Sequence, residues 1–182
     1  MRARIWTVPN QITFLRLGFL PVFLILIAYD RYHWALLVLV VAGLSDGIDG
    51  LLARYLNQRS ALGAYLDPIA DKLLLSSSFI ILAFKKKIAW WLTILILSRD
   101  ILILVVAVVI LLVSGYQTFP PSLYGKMTTA FQIVLVFVVV LGAAYPDSRV
   151  AATIHPLIYG VTAFTVLSAF HYSFLNARRF SS

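Results

Sequence analysis

Six long apolar runs, each closed by a short polar or proline-bearing break, constrain this chain more than any single motif does. The breaks are Asp30-Arg31-Tyr32-His33, Asn57-Gln58-Arg59-Ser60, Lys85-Lys86-Lys87, Ser114 through Ser122 with Pro120-Pro121, and Tyr145-Pro146-Asp147-Ser148-Arg149. They leave spans at about 11–29, 34–57, 62–84, 89–113, 123–144 and 154–176, each long enough for a hydrocarbon core of ~30 Å, which takes about 20 helical residues. With 62% hydrophobic and 12% charged residues, the chain falls outside the range of an ordinary soluble domain. All four tryptophans (Trp6, Trp34, Trp90, Trp91) fall near span ends, as an aromatic belt requires. The expectation is an all-α polytopic membrane protein, a bundle of six transmembrane helices forming one domain over residues 1–182.

Residues 1–10 carry Arg2, Arg4, Trp6 and Pro9. They read as an interfacial helix on the cytoplasmic surface rather than a cleaved signal peptide, because no small-residue cleavage site follows. An even span count puts both ends on one side. That side collects Arg2, Arg4, Arg54, Arg59, Lys126, Arg178 and Arg179, against Arg31, Lys85, Lys86, Lys87 and Arg149 opposite. The bias favours cytoplasmic termini, although the triple lysine works against it. The absence of cysteine excludes disulfides and thiolate metal sites. The net charge of +8 comes from bases that punctuate apolar segments. Anionic lipid headgroups and phosphorylated substrates therefore fit as partners, and nucleic acid does not.

Against this background the acids stand out. The chain has seven and no glutamate, and four of them lie at Asp46, Asp49, Asp67 and Asp71. A carboxylate at the centre of a membrane helix costs roughly 2.5–3.5 kcal/mol on insertion scales. On a helix, Asp46 and Asp49 share a face, and so do Asp67 and Asp71. With a short connection near 58–61, the two helices are expected to form an antiparallel hairpin with all four carboxylates at similar depth across one cavity. Such an oxygen-only set suits hard divalent cations. Gly47, Gly50 and Gly63 would let a ligand or a helix approach the backbone. Arg54, one turn beyond Gly50, could grip a diphosphate. Acids, cation and phosphate clamp together describe phosphoryl transfer. An ion-paired structural hairpin is the plainer alternative, but Arg54 and Lys72 are two bases against four acids. An ion transporter or channel is a third, since intramembrane acids also mark ion pathways. It would be expected to spread its charges through both halves of the bundle.

The residues from Asp46 to Asp71 match without a gap the pattern D-x2-D-G-x2-A-R-x8-G-x3-D-x3-D, and Pro9-Asn10 with Thr13 and Arg16 resembles P-N-x-x-T-x-x-R. In both respects the chain resembles the CDP-alcohol phosphatidyltransferase family. That resemblance implies six spans, a homodimer, and an active site facing the cytoplasm from a bacterial-type inner or plasma membrane. It implies that Asp46, Asp49 and Asp67 bind two divalent ions, Mg²⁺ or Mn²⁺. Asp71 would be the general base, also touching the second ion. Gly50 and Arg54, with Asn10, Thr13 and Ser60, would hold CDP-diacylglycerol.

Leu97-Ser98-Arg99-Asp100 and the run from Pro121 to Gln132 resemble the branch of phosphatidylglycerol phosphate synthases and CMP-forming cardiolipin synthases. The first group usually shows Arg-Glu where this chain has Arg99-Asp100. Thr162-Ala163-Phe164-Thr165, Ser168-Ala169 and His171-Tyr172 look more like the second. Glycerol 3-phosphate ranks narrowly first as acceptor, with phosphatidylglycerol the alternative. Arg99 and Lys126 are the remaining cations for an anionic acceptor. Each also has a structural reading, Arg99 as a partner of Asp100 and Lys126 as a side chain snorkelling to the interface.

Overall fold

The computed structural model describes the backbone of residues 8–55, 61–114 and 123–180, and the side chains of residues 15, 17–45, 72–105, 123 and 125–169. It holds six helices: α1 (Val8–Ala28), α2 (Tyr32–Tyr55), α3 (Ala61–Phe84), α4 (Trp90–Ser114), α5 (Leu123–Ala144) and α6 (Ser148–Phe180). There is no strand among the described residues. Residues 1–7 of the expected interfacial helix lie outside the described residues, and Val8, Pro9 and Asn10 belong to α1. Proline in the first turn of α1 removes an N–H that has no partner there anyway.

Two of the breaks are built alike. At the end of α1 the Arg31 N–H bonds to Leu26 O at 2.8 Å and the Asp30 N–H to Ile27 O at 3.0 Å. At the end of α3 the Lys87 N–H bonds to Leu82 O at 2.9 Å and the Lys86 N–H to Ala83 O at 3.0 Å. Both are Schellman caps, which need a left-handed residue, and Asp30 (φ 58°) and Lys86 (φ 56°) take that position without being glycine. The caps are then tied together. Lys85 Nζ meets Asp30 Oδ2 at 2.8 Å, and the Tyr32 hydroxyl donates to Asp30 Oδ1 at 2.9 Å. These two hydrogen bonds hold the Asp30 carboxyl below the usual carboxylate range. The stability they contribute is present above the ordinary value of 3.8 and is lost only as pH falls below it. Lys87 lies over the Tyr32 ring, and His33 meets Tyr145 edge-on, so this end of the bundle is stitched across four helices.

The last helix begins earlier than its apolar run suggests. Asp147 Oδ1 accepts the Arg149 N–H at 2.8 Å, an N-cap that starts α6 at Ser148 and carries it through Pro156.

Phe23 and Ile27 of α1, Ala35 of α2, Phe79 and Leu82 of α3, and Leu92 and Ile96 of α4 share one core with Leu135, Val139 and Val140 of α5 and Val161 of α6. Among the described residues α2 and α3 do not pack on each other; each packs on α1 and on α5. The connection between α2 and α3 and the side chains of residues 46–71, where the expected hairpin would close, lie outside the described residues.

The α5–α6 pair is held at close range. Phe131 stacks on Phe164 with centroids 4.8 Å apart, and the Thr128 hydroxyl donates to Phe164 O at 3.0 Å. A Cβ on Gly160 would come within 3.1 Å of the Phe131 ring. Outside, the molecule is strongly apolar: Ile25, Trp34, Leu37, Ile101, Leu104, Tyr159 and Leu167 are all at least half exposed. Two stretches, Gly125–Ala144 and Ser148–Ala169, are long and apolar enough to cross a membrane, with shorter apolar stretches in α1, α2 and α3.

Gly160→Leu is expected to cost about 1–3 kcal/mol by overpacking against Phe131. Gly18→Ala, with nothing within 4 Å of its new Cβ, should leave the thermal midpoint in detergent unchanged or slightly raised. Lys86→Gly should stabilise by about 0.5–1 kcal/mol, because glycine takes the left-handed position without strain. Thermal unfolding of the purified protein in one detergent checks all three, and equal midpoints for Gly160→Leu and Gly18→Ala would contradict the packing argument.

Candidate active site

Asp46, Asp49, Gly50 and Arg54 lie in α2, Asp67 and Asp71 in α3, and Asn10 and Thr13 in the opening turns of α1. Their side chains, and Ser60 entirely, lie outside the described residues. What the backbone fixes is depth. Measured from the stitched end, Asp46 and Asp49 stand 14 and 17 residues past Tyr32, while Asp71 and Asp67 stand 13 and 17 before Phe84. Thr13 stands 15 before Ala28. At 1.5 Å per residue these positions fall within a few ångströms of one level. Each carboxylate pair sits within one helix, with Pro68 between Asp67 and Asp71, so each pair keeps to one face.

A cleft of about 400 Å³ opens between α2, α3 and α5. Its walls include Leu44 of α2, Leu74 and Ser78 of α3, and Thr129 and Phe137 of α5. Leu44 precedes Asp46 by two residues and Leu74 follows Asp71 by three, so the carboxylate turns border one end of this cleft. Among the described residues, α2 and α3 face each other across this cleft.

Beside the Asp71 turn of α3 stands an ion-pair network. Lys72, directly after Asp71, reaches Asp100 Oδ1 with its Nζ at 2.9 Å. Arg99 Nη1 donates to the same oxygen at 2.7 Å, and Arg99 Nη2 donates to Ser168 Oγ of α6 at 2.7 Å. Arg99 is only 6% exposed, whereas the Lys72 side chain is 45% exposed. The pairing of Arg99 with Asp100 anticipated in the sequence is therefore present. Lys126, exposed in the first turn of α5, is not brought to Arg99: α4 and α5 are not packed together among the described residues. Sequence reasoning gave Lys72 and Ser168 no part in this network. The available signal was that Asp100, alone among the three acids outside the motif, stands within an apolar run rather than in a break.

Comparison with known proteins bears on the same residues. The family described as CDP-alcohol phosphatidyltransferase matches residues 6–168. The human protein named cardiolipin synthase (CMP-forming) is 50% identical over 72 residues, which are 39% of this chain and 24% of the human one. The Streptomyces coelicolor protein of the same name is 46% identical over 78 residues, 40% of this chain and 36% of its own. A Pseudomonas fluorescens protein named CDP-diacylglycerol--glycerol-3-phosphate 3-phosphatidyltransferase is 44% identical over 73 residues, 38% of this chain and 37% of its own. The chain thus matches between 24% and 37% of the length of these curated relatives. With the family pattern matched from residue 6 to residue 168, the chain belongs to the CDP-alcohol phosphatidyltransferases.

Asp100→Asn should destabilise the protein by about 3–5 kcal/mol, since it leaves the buried Arg99 guanidinium without its countercharge. Lys72→Met removes a largely solvated partner and should cost no more than about 1 kcal/mol. Thermal unfolding in detergent compares the two, and similar losses would mean that Asp100 serves mainly Lys72.

Proposed function

We propose that this protein is an integral-membrane phospholipid synthase that transfers the phosphatidyl group of CDP-diacylglycerol to an alcohol and releases CMP. Family membership supports the reaction class. The common depth of Asp46, Asp49, Asp67 and Asp71 beside one cleft is the observation that carries it to residues. In this reading the whole chain is one domain, all six helices cross the bilayer, and the site faces the cytoplasm of a bacterial-type membrane. The apolar exterior supports a lipid environment, since a water-soluble monomer rarely exposes so large a patch. A homodimer follows from the family resemblance alone.

Four carboxylates without a nitrogen or sulfur ligand among them fit two Mg²⁺ or Mn²⁺ ions, held by Asp46, Asp49, Asp67 and Asp71. When bound, such ions neutralise charge on the diphosphate. The chain's own residues do the rest. Arg54 grips the diphosphate with its planar fork, and Gly50 admits the nucleotide to the helix. Asn10, Thr13 and Ser60 contact the CDP moiety. Asp71 takes the proton of the acceptor hydroxyl as its oxygen bonds to the phosphorus that carries diacylglycerol. The bond from that phosphorus to the CMP oxygen breaks, CMP leaves, and the proton passes on to solvent. Arg99 attracts an acceptor that carries a glycerol phosphate, and Lys126, which stands apart from it on α5, is left to the interface. Glycerol 3-phosphate and phosphatidylglycerol both answer that description, and the names of the relatives divide between them.

Asp46→Asn, Asp49→Asn and Asp67→Asn should each lower CMP release about a hundredfold or more while the protein still inserts and purifies. Asp71→Asn should be equally inactive but keep more affinity for CDP-diacylglycerol. The assay measures CMP from CDP-diacylglycerol with and without Mn²⁺. Near-normal turnover in any two of the first three variants would remove the metal assignment, and metal-independent turnover would remove the mechanism.

A further inference from the structure

Three consecutive lysines follow α3, and the phosphatidyl-transfer reading gives them no part. Lys85 is taken up within the fold by Asp30. Lys86 and Lys87 are exposed, and neither has a carboxylate partner among the described residues. Lys87 rests over the Tyr32 ring, a contact that leaves its charge uncompensated. Both lysines are unfavourably placed. Lys86 holds the left-handed position of a helix cap (φ 56°), where glycine would sit without strain. In the orientation proposed above, the pair stands on the outer side of the membrane, where lysine opposes the insertion bias. Residues that break local rules without an internal partner mark a place where function sets the choice.

Around them lies a pocket of about 580 Å³ between the α3–α4 connection and the opening turns of α6. Lys86, Lys87 and His155 give it polar walls, and Trp90, Ile154 and Ile158 apolar ones. Among the described residues no carboxylate lines it. The breaks at this end carry five bases, Arg31, Lys85, Lys86, Lys87 and Arg149, against Asp30 and Asp147. Both acids are committed elsewhere, Asp30 to Lys85 and Tyr32, and Asp147 to the Arg149 N–H. Ammonium and imidazole groups offer N–H donors, so the pocket selects an anion.

The apolar side selects further. Trp90, 45% exposed and met edge-on by Phe84, suits the headgroup level of a bilayer. Helices α4 and α6 pack together and both begin at this end, so the seam between them runs inward from the pocket. Leu95 and Leu102 of α4 and Val166 of α6 line that seam farther along, and Leu102 and Val166 are exposed there. From Trp90 to Leu102 the helix rises about 18 Å, enough for one leaflet of a ~30 Å hydrocarbon core. A soluble phosphate would engage the lysines and leave the seam bare. A phospholipid covers both.

We propose that the pocket at Lys86, Lys87 and His155 binds the headgroup of an anionic phospholipid, with an acyl chain along the α4–α6 seam. The lipid occupies the leaflet away from the acidic turns, since Asp46 and Asp71 stand about 20 Å along α2 and α3 from this end. The site rests on the membrane reading given above and takes no part in phosphatidyl transfer.

The test extracts the full-length protein in detergent and measures bound lipid by native mass spectrometry. The probes are phosphatidic acid, which has no alcohol to act as an acceptor, and phosphatidylcholine with the same chains. Wild type should bind phosphatidic acid about 10-fold more tightly. Lys86→Gly should weaken that binding about 5-fold, and the Lys86→Gly, Lys87→Gln double variant about 20-fold. Misfolding would not explain the first loss, because Lys86→Gly is expected to raise the thermal midpoint. Arg31→Gln removes the same charge from the same end outside the pocket, and should leave affinity unchanged. Equal weakening in Arg31→Gln would mean a diffuse surface field and overturn the site. Unchanged affinity in the double variant, or displacement of the lipid by inorganic phosphate, would overturn it too. A protein that stays in solution without detergent would overturn the membrane reading, whereas lost lipid discrimination in extracted protein overturns this site alone.

Discussion

Charge has few places to go in a chain this apolar, and the rest of the structure follows from where it is sent. Asp100 accepts both Lys72 and Arg99 on one oxygen, joining α3 to α4, while Arg99 reaches on to α6 through Ser168. One carboxylate therefore ties three helices, with the Thr93 hydroxyl donating to Phe79 O as a second polar link between α3 and α4. A buried guanidinium without such a partner would cost several kcal/mol, so the helices cannot separate without exposing that penalty. Hydroxyl groups follow the same economy: Ser45, Ser77, Thr129 and Thr162 each return a hydrogen bond to a carbonyl one turn back.

The two ends of the bundle are built on different principles. Near Asp30 and Lys86, helix ends are closed by backbone caps and then joined by ion pair, hydrogen bond and ring contacts. Asp46 and Asp71 stand well along α2 and α3 from this end, past the cleft lined by Leu44 and Leu74. The ties described at Asp30 and Lys86 thus hold the helices at a distance from the acidic turns rather than among them.

Much of this was legible in the sequence. Apolar runs cut by Asp30-Arg31, Lys85-Lys86-Lys87 and Pro120-Pro121 located the six helices to within a few residues, because a helix in an apolar setting ends where charge or proline appears. The start of α6 was misplaced for a definite reason. Tyr145 to Arg149 read as a break, whereas Asp147 in it is an N-cap, a local hydrogen bond that hydropathy does not register. Spacing fixed the face and depth of Asp46, Asp49, Asp67 and Asp71, since helical period alone determines both. Spacing could not determine which helices touch: that α2 and α3 each pack on α1 and α5 depends on the whole bundle and not on local period. The partnership of Arg99 with Ser168 joins residues 69 positions apart, a relation that no local pattern encodes.

Over Tyr32–Ser45 and Lys72–Phe84, α2 and α3 are held by their neighbours and not by each other. The width of the cleft at Leu44 and Leu74 therefore depends on how α5 seats against both helices, through side chains such as Thr129 and Phe137. An exchange of one apolar side chain on α5 can widen or narrow that cleft while every charged residue stays as it is.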